Sequence, residues 1–143
     1  MNTYFETSAI IKLVIEEAGS AHAGALWDAS DLVLTSMLSY AEARAALAAA
    51  RRAKRLTAAT LGQAKNALET RMREIELIEV TADVVRSAGD LAERHGLRGY
   101  DAVHLASALA LGVEDVVLAT WDRDLAHAGR QAGFAIAGLL PRP

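Results

Sequence analysis

Four carboxylates stand inside or against apolar stretches of this chain. They are Glu6 in Tyr4-Phe5-Glu6-Thr7-Ser8, Glu42 in Leu38-Ser39-Tyr40-Ala41-Glu42, Asp101 in Gly99-Tyr100-Asp101-Ala102-Val103 and Asp122 in Ala119-Thr120-Trp121-Asp122. A carboxylate taken out of water is costly unless it is neutralised, paired or set on a metal. Four such groups in 143 residues suggest one shared cation. The chain has no cysteine, and oxygen donors without a histidine cluster favour Mg²⁺ or Mn²⁺ over Zn²⁺. Mg²⁺ is usually held by few carboxylates plus substrate phosphates, so acids without another phosphate cradle point to metal-dependent phosphodiester hydrolysis. The metal polarises the scissile phosphate and lowers the pKa of an attacking water. A carboxylate orients that water or takes its proton. One metal and two are both compatible.

Each acid also has a plainer reading. At about 100° per residue, Glu42 has Leu38, Ala45, Ala46 and Ala49 as lateral neighbours, whereas Arg44 and Arg51 point away. It therefore interrupts an apolar face, where an arginine such as Arg98 is the plain partner. Asp101 opens the most apolar helix, where a first-turn acid gains from the helix dipole. Asp122 and Asp124 flank Arg123 just past a strand, as an N-cap and first-turn acid or as direct and water-mediated metal ligands. Thr7 and Ser8 either cap a helix or reach the site, and Ser36 reads as a cap. His104, one turn after Asp101, reads as a core or surface histidine ahead of one facing the cleft, and Trp121 as core ahead of a base-stacking surface. No G-x-G-x-x-G, P-loop or G-x-S-x-G pattern is present.

The elements that must position these residues alternate along the chain. Strands are expected at residues 3–6, 32–35, 76–80, 116–120 and 134–137. Helices are expected over 8–17, 21–29, from Ser36 to about 53, from Thr57 to about 74, from Thr81 to His95-Gly96, over 100–111 and over 122–132. Both prolines, Pro141 and Pro143, fall in the C-terminal tail and interrupt no helix. Strands separated by helices imply crossovers and a mainly parallel sheet covered on both faces, with ligands at the carboxyl ends of the strands. One domain over 1–143 is expected, since this length supports one core.

The formal charge of −3 argues weakly against a nucleic-acid binder. Setting the clustered acids aside, however, leaves slightly more basic than acidic side chains. Arg51, Arg52, Lys54 and Arg55 form the densest basic run, read either as a solvated helix end or as a contact for a polyanion. Charges interrupt every long apolar stretch, and Glu6 and Lys12 break the first, so no membrane span or signal segment is expected. Zero cysteine is compatible with a cytoplasmic location.

The ordered set of acids and their flanks resembles the PIN-domain ribonucleases, specifically VapC-type toxins of bacterial toxin–antitoxin pairs. It is carried by Tyr4-Phe5-Glu6-Thr7-Ser8-Ala9 with Lys12 following, by Ser36 through Glu42, by Leu97-Arg98-Gly99-Tyr100-Asp101-Ala102-Val103-His104-Leu105-Ala106, and by Thr120-Trp121-Asp122-Arg123-Asp124-Leu125. The resemblance spans essentially the whole chain. It implies a three-layer α/β/α sandwich with a mainly parallel sheet, Mg²⁺ with Mn²⁺ as substitute, and endonucleolytic cleavage of an RNA substrate. A homodimer and a VapB-type antitoxin, whose tail can present a basic side chain to the acids, are implied as well. Glu6, Glu42, Asp101 and Asp122 fall on the family's catalytic and metal-binding acids. Asp124 falls on a more variable metal-site neighbour, and Ser8 on an accessory hydroxyl.

Glu6 departs from the pattern, since the family usually has aspartate there. Glutamate keeps the charge and extends the reach by one methylene. That leaves a second reading, an impaired PIN domain acting as an RNA- or antitoxin-binding module. A third, a phosphatase using Asp122 and Asp124, is weaker, because the pair follows a late strand and no hydroxyl follows it at Leu125 or Ala126. The alanine-rich helices from Ser36 and Thr57 offer a dimer face, a core face, or both.

Overall fold

The computed structural model describes residues 1–139; Pro141 and Pro143 lie outside them. Among the described residues, five strands form one sheet: β1 (Asn2–Phe5), β2 (Leu32–Ser36), β3 (Glu76–Ile78), β4 (Val116–Thr120) and β5 (Ile136–Gly138). Their order is β3-β2-β1-β4-β5, and every pairing is parallel. Parallel neighbours require long crossovers, and helices supply them. These are α1 (Thr7–Val14), α2 (Ser20–Ala29), α3 (Leu38–Arg52), α4 (Ala58–Glu74), α5 (Ala82–His95), α6 (Gly99–Leu109) and α7 (Arg123–Gln131).

Successive strand residues point to opposite faces and seed two cores. Tyr4 and Leu118 pack on one side with Val84, Leu91, Leu105 and Leu125 from α5, α6 and α7. Phe5, Val33 and Ala119 pack on the other with Ile10, Leu47 and Leu68 from α1, α3 and α4. Burying a leucine fully is worth roughly 1.5–3 kcal/mol, so these layers hold the sheet between them. The result is the expected three-layer α/β/α sandwich. No helix among the described residues is long and apolar enough to cross a membrane.

The caps follow the sequence signals in part. Thr57 and Thr60 form a reciprocal capping box, Thr81 accepts from the Val84 amide at 3.2 Å, and Gly96 closes α5 at φ 64°. Helix α1 differs. Its N-cap position is Glu6, without a side-chain cap, because the Thr7 and Ser8 hydroxyls are engaged elsewhere. Helix α3 differs too. Its buried face is Ser39, Ala43, Leu47 and Ala50, whereas Ala45 and Ala49 are exposed. Alanine is neutral enough to lie on either face, so the expected apolar stripe was misplaced, and Glu42 borders the buried stripe instead of interrupting it.

The topology leaves a crevice. From β1 the chain builds β2 and β3 to one side, then crosses to build β4 and β5 on the other. The strand order thus reverses between β1 and β4, where open parallel sheets bind ligands at their carboxyl ends. The Glu6 amide continues the ladder one step past β1, donating to the Ala119 carbonyl at 3.0 Å.

Gly138 closes the far side of this edge. Its φ is +112°, and a Cβ there would lie 2.2 Å from the Thr120 carbonyl oxygen and 3.1 Å from the Trp121 ring. Gly138→Ala is expected to cost roughly 2 kcal/mol or more in urea unfolding, through backbone strain and overpacking together.

Candidate functional site

All four carboxylates line one open cleft of about 460 Å³ at the carboxyl edge of the sheet, together with Lys12, Arg55 and Arg98. Glu6 follows β1, and Asp122 follows β4 as the residue before α7. Glu42 lies in the second turn of α3, and Asp101 in the first turn of α6. Glu6 and Asp101 are buried, whereas Glu42 and Asp122 are half-buried.

Each acid is tied to the protein by side-chain or backbone partners. Glu6 Oε2 accepts from Ser8 Oγ at 2.5 Å and from Thr120 Oγ1 at 2.8 Å. Glu42 Oε1 accepts from Thr7 Oγ1 at 2.8 Å and lies 2.5 Å from His104 Nε2. Asp122 divides its oxygens. Oδ1 caps α7 by accepting from the Leu125 amide at 2.8 Å, and Oδ2 faces Arg98 Nη2 at 3.3 Å. Asp101 Oδ2 accepts from Arg98 Nε at 2.9 Å. The Arg98 guanidinium therefore bridges two acids from separate elements, and it also lies 4.9 Å from the centre of the Tyr100 ring.

The electrostatics sort the acids. Burial pushes Glu6 up, against the opposing influence of His104 and the hydrogen bonds from Ser8 and Thr120. Burial likewise raises Asp101, with the Asp122 charge adding to it and the Arg98 bond resisting. Burial acts the same way on Glu42, but the bonds from His104 and Thr7 and the charge of Arg98 outweigh it, so Glu42 is held low. Two acids thus resist ionisation in the absence of an added cation, and one favours it.

The donor chemistry suits a hard cation, since four carboxylates share the cleft and a guanidinium already supplies positive charge between two of them. As the side chains stand, however, no three His, Asp or Glu groups among the described residues converge on one ion position. Arg98 lies between Asp101 and Asp122, and Glu42 is drawn toward His104. The four acids share the cleft, and in the resting positions of their side chains they do not converge on one point.

Ser8 contacts the site as expected: its hydroxyl donates to Glu6 and accepts from the Trp121 amide at 2.8 Å. Asp124 is exposed and outside the cleft lining. It lies in the first turn of α7. Of the basic run only Arg55 reaches the cleft. Trp121 lines it, with the Lys12 ammonium 5.4 Å from the ring centre. Sequence reasoning missed Tyr4 and Thr120 as site supports and did not pair His104 with Glu42. The His104 position, one turn after Asp101 on a buried helix, was the available signal. Nothing local marked Thr120.

The family described as PIN domain matches residues 3–131. The chain belongs to the PIN-domain family. Two curated proteins of Mycobacterium tuberculosis, Ribonuclease VapC45 and Ribonuclease VapC49, are each 48% identical to this PIN domain over 134 residues, spanning 94% of it and 93% of the relative. Among solved structures, M. tuberculosis VapC20, titled a sarcin-ricin loop cleaving toxin, superposes with a TM-score of 0.69 at 24% identity, over 93% of this chain and 96% of that one. That likeness concerns the fold. The 48% relatives place this PIN domain with the VapC type.

The raised Glu6 has a measurable consequence. The folded protein holds its proton more tightly than the unfolded chain does. Its contribution to stability is therefore full below the unfolded carboxylate value and is lost as pH rises through the raised folded value. In protein stripped of divalent ions, Glu6→Gln is expected to raise Tm at pH 7 by roughly 2–6 °C. The difference should shrink as pH falls and wild-type Glu6 takes up its proton. A Tm gap independent of pH would contradict this.

Proposed function

We propose that this PIN domain is a divalent-metal-dependent endoribonuclease toxin of the VapC type, neutralised by a VapB-type antitoxin. The reading treats residues 1–143 as one domain. The convergence of Glu6, Glu42, Asp101 and Asp122 on one cleft at the strand-order reversal carries it. The names of the 48% identical relatives support the ribonuclease assignment. The PIN fold and the resemblance to VapC toxins support the antitoxin, the homodimer and Mg²⁺ or Mn²⁺ as cofactor.

In this mechanism Glu6, Asp101 and Asp122, with Glu42 in the same cleft, would hold the cation. The cation supplies charge for the scissile phosphate and the means to activate water at neutral pH. Glu42, kept ionised by its partners, orients the attacking water and accepts its proton. Ser8 and Thr120 hold Glu6. Lys12 and Arg55, on the cleft wall, give the acidic centre a basic border for an RNA backbone. Arg98 balances Asp101 and Asp122 in the cleft, and with a cation bound its guanidinium would be available to the substrate phosphate. Asp124, exposed, has no part in it.

Full-length protein freed of antitoxin should cleave structured RNA with Mn²⁺ or Mg²⁺ and stop with EDTA. Asp101→Asn and Glu42→Ala are each expected to lower kcat on the order of 100-fold or more. Wild-type activity in either variant would overturn the mechanism. A chain inert until Glu6→Asp restores cleavage would instead support the binding-module reading.

Arg98 gives a separate test. Arg98→Gln removes the competing charge, so Mn²⁺ binding followed by electron paramagnetic resonance should tighten on the order of 2- to 5-fold. RNA affinity should weaken. An unchanged or weaker Mn²⁺ affinity would remove Arg98 from this role.

A further inference from the structure

The cleft acids rest on a polar network that the proposed reaction leaves unused. Tyr4 on β1 and His104 on α6 are both fully buried. The Tyr4 hydroxyl lies 2.7 Å from His104 Nδ1, and the rings meet edge to face at 5.9 Å. His104 Nε2 faces Glu42 Oε1 at 2.5 Å and Thr7 Oγ1 at 3.2 Å. Both ring nitrogens are thus engaged inside a core where an unpaired polar atom would be costly. Among the described residues no such buried atom lacks a partner.

The direction of this chain of bonds follows from its last member. Nε2 lies 2.5 Å from Oε1 of Glu42, and a carboxylate only accepts, so Nε2 carries the proton between them. The Tyr4 hydroxyl holds the other ring nitrogen, Nδ1, at 2.7 Å. Thr7 donates to the same carboxylate oxygen. Two donors therefore converge on Oε1 of Glu42, and Oε2 is the oxygen left to the cleft.

The geometry points to Tyr4 and His104 as positioning residues for Glu42. Tyr4 holds the His104 ring at Nδ1, and His104 fixes which oxygen and which rotamer Glu42 presents. His104 lies one turn after Asp101 on α6, so the same helix that carries one acid sets the orientation of a second acid on α3. Partners behind a metal ligand typically change affinity or activity by about 10- to 100-fold when removed. This inference rests on the reading of Glu42 as a member of the metal and catalytic site.

The test uses full-length protein with four variants: His104→Leu, His104→Gln, Tyr4→Phe and Glu42→Gln. Mn²⁺ affinity is read by electron paramagnetic resonance, kcat and KM on one RNA, and folding by Tm. His104→Leu is expected to weaken Mn²⁺ binding or lower kcat by about 10- to 100-fold, with KM little changed. A glutamine amide reaches the place of Nε2 and can donate there, so His104→Gln should recover most of that loss. Tyr4→Phe keeps the buried ring and should show a smaller loss of the same kind, which covers the case in which His104→Leu fails to fold. Equal impairment of His104→Gln and a folded His104→Leu would overturn the proposal, as would wild-type Mn²⁺ affinity and kcat in Tyr4→Phe. If Glu42→Gln keeps wild-type metal binding and activity, the site reading itself fails, and the positioning role falls with it.

Discussion

Holding several negative charges at the edge of an apolar sheet is the constraint that the rest of this fold answers. Like charges brought together and partly dried oppose one another, and burial disfavours every ionised member. The protein answers with donors drawn from distant parts of the chain. Ser8 and Thr120 serve Glu6, Thr7 and His104 serve Glu42, the Leu125 amide of α7 serves Asp122, and Arg98 bridges Asp101 to Asp122. Asp101 alone is served only from its own helix, by Arg98 at the N-cap of α6, and that same guanidinium reaches Asp122. The cleft forms only when β1, β4, α1, α3, α6 and α7 are all in place, so the function proposed for it is tied to complete folding.

Topology makes that convergence economical. A parallel sheet sends every strand's carboxyl end to the same edge, and the reversal between β1 and β4 opens a crevice there. Two acids reach the crevice by following its two bordering strands. The other two arrive on helices that flank it from opposite layers, α3 on one face and α6 on the other. Tyr4 and Phe5, adjacent on β1, anchor those two layers separately. The alternation of one strand thus fixes the distance between the helices that carry Glu42 and Asp101.

Much of this was legible in the sequence, and the misses have physical causes. The strands and helices follow from periodicity and caps, with boundaries shifted by a few residues at α1 and β3. The four acids stood out because charge in apolar surroundings is expensive. The long-range donors were not legible, because Thr120 to Glu6, Thr7 and His104 to Glu42, and Arg98 to Asp122 join residues far apart in sequence. Arg98 was the plain partner for Glu42, yet its bonds go to Asp101 and Asp122, and a buried histidine takes Glu42 instead. The α3 face was misplaced for a different reason. A run of alanines carries almost no information about which side is buried, so packing by Leu47 decided it.

Glu6 shows why a residue's length has to be judged against its seat. Taken alone, the extra methylene relative to aspartate looks like a displaced ligand. Here Ser8 and Thr120 both donate to one of its oxygens, and Thr120 Oγ1 also accepts from the Asp122 amide at 3.0 Å. Ser8 in turn accepts from the Trp121 amide. The longer side chain is therefore held by two hydroxyls that are themselves anchored to the start of the segment carrying Asp122. The arrangement couples Glu6 to Asp122 through shared hydroxyls, so the two acids that border the crevice keep their spacing even though one of them is longer. Aspartate, drawn back by one methylene, would have to give up those donors or pull the edge inward to keep them.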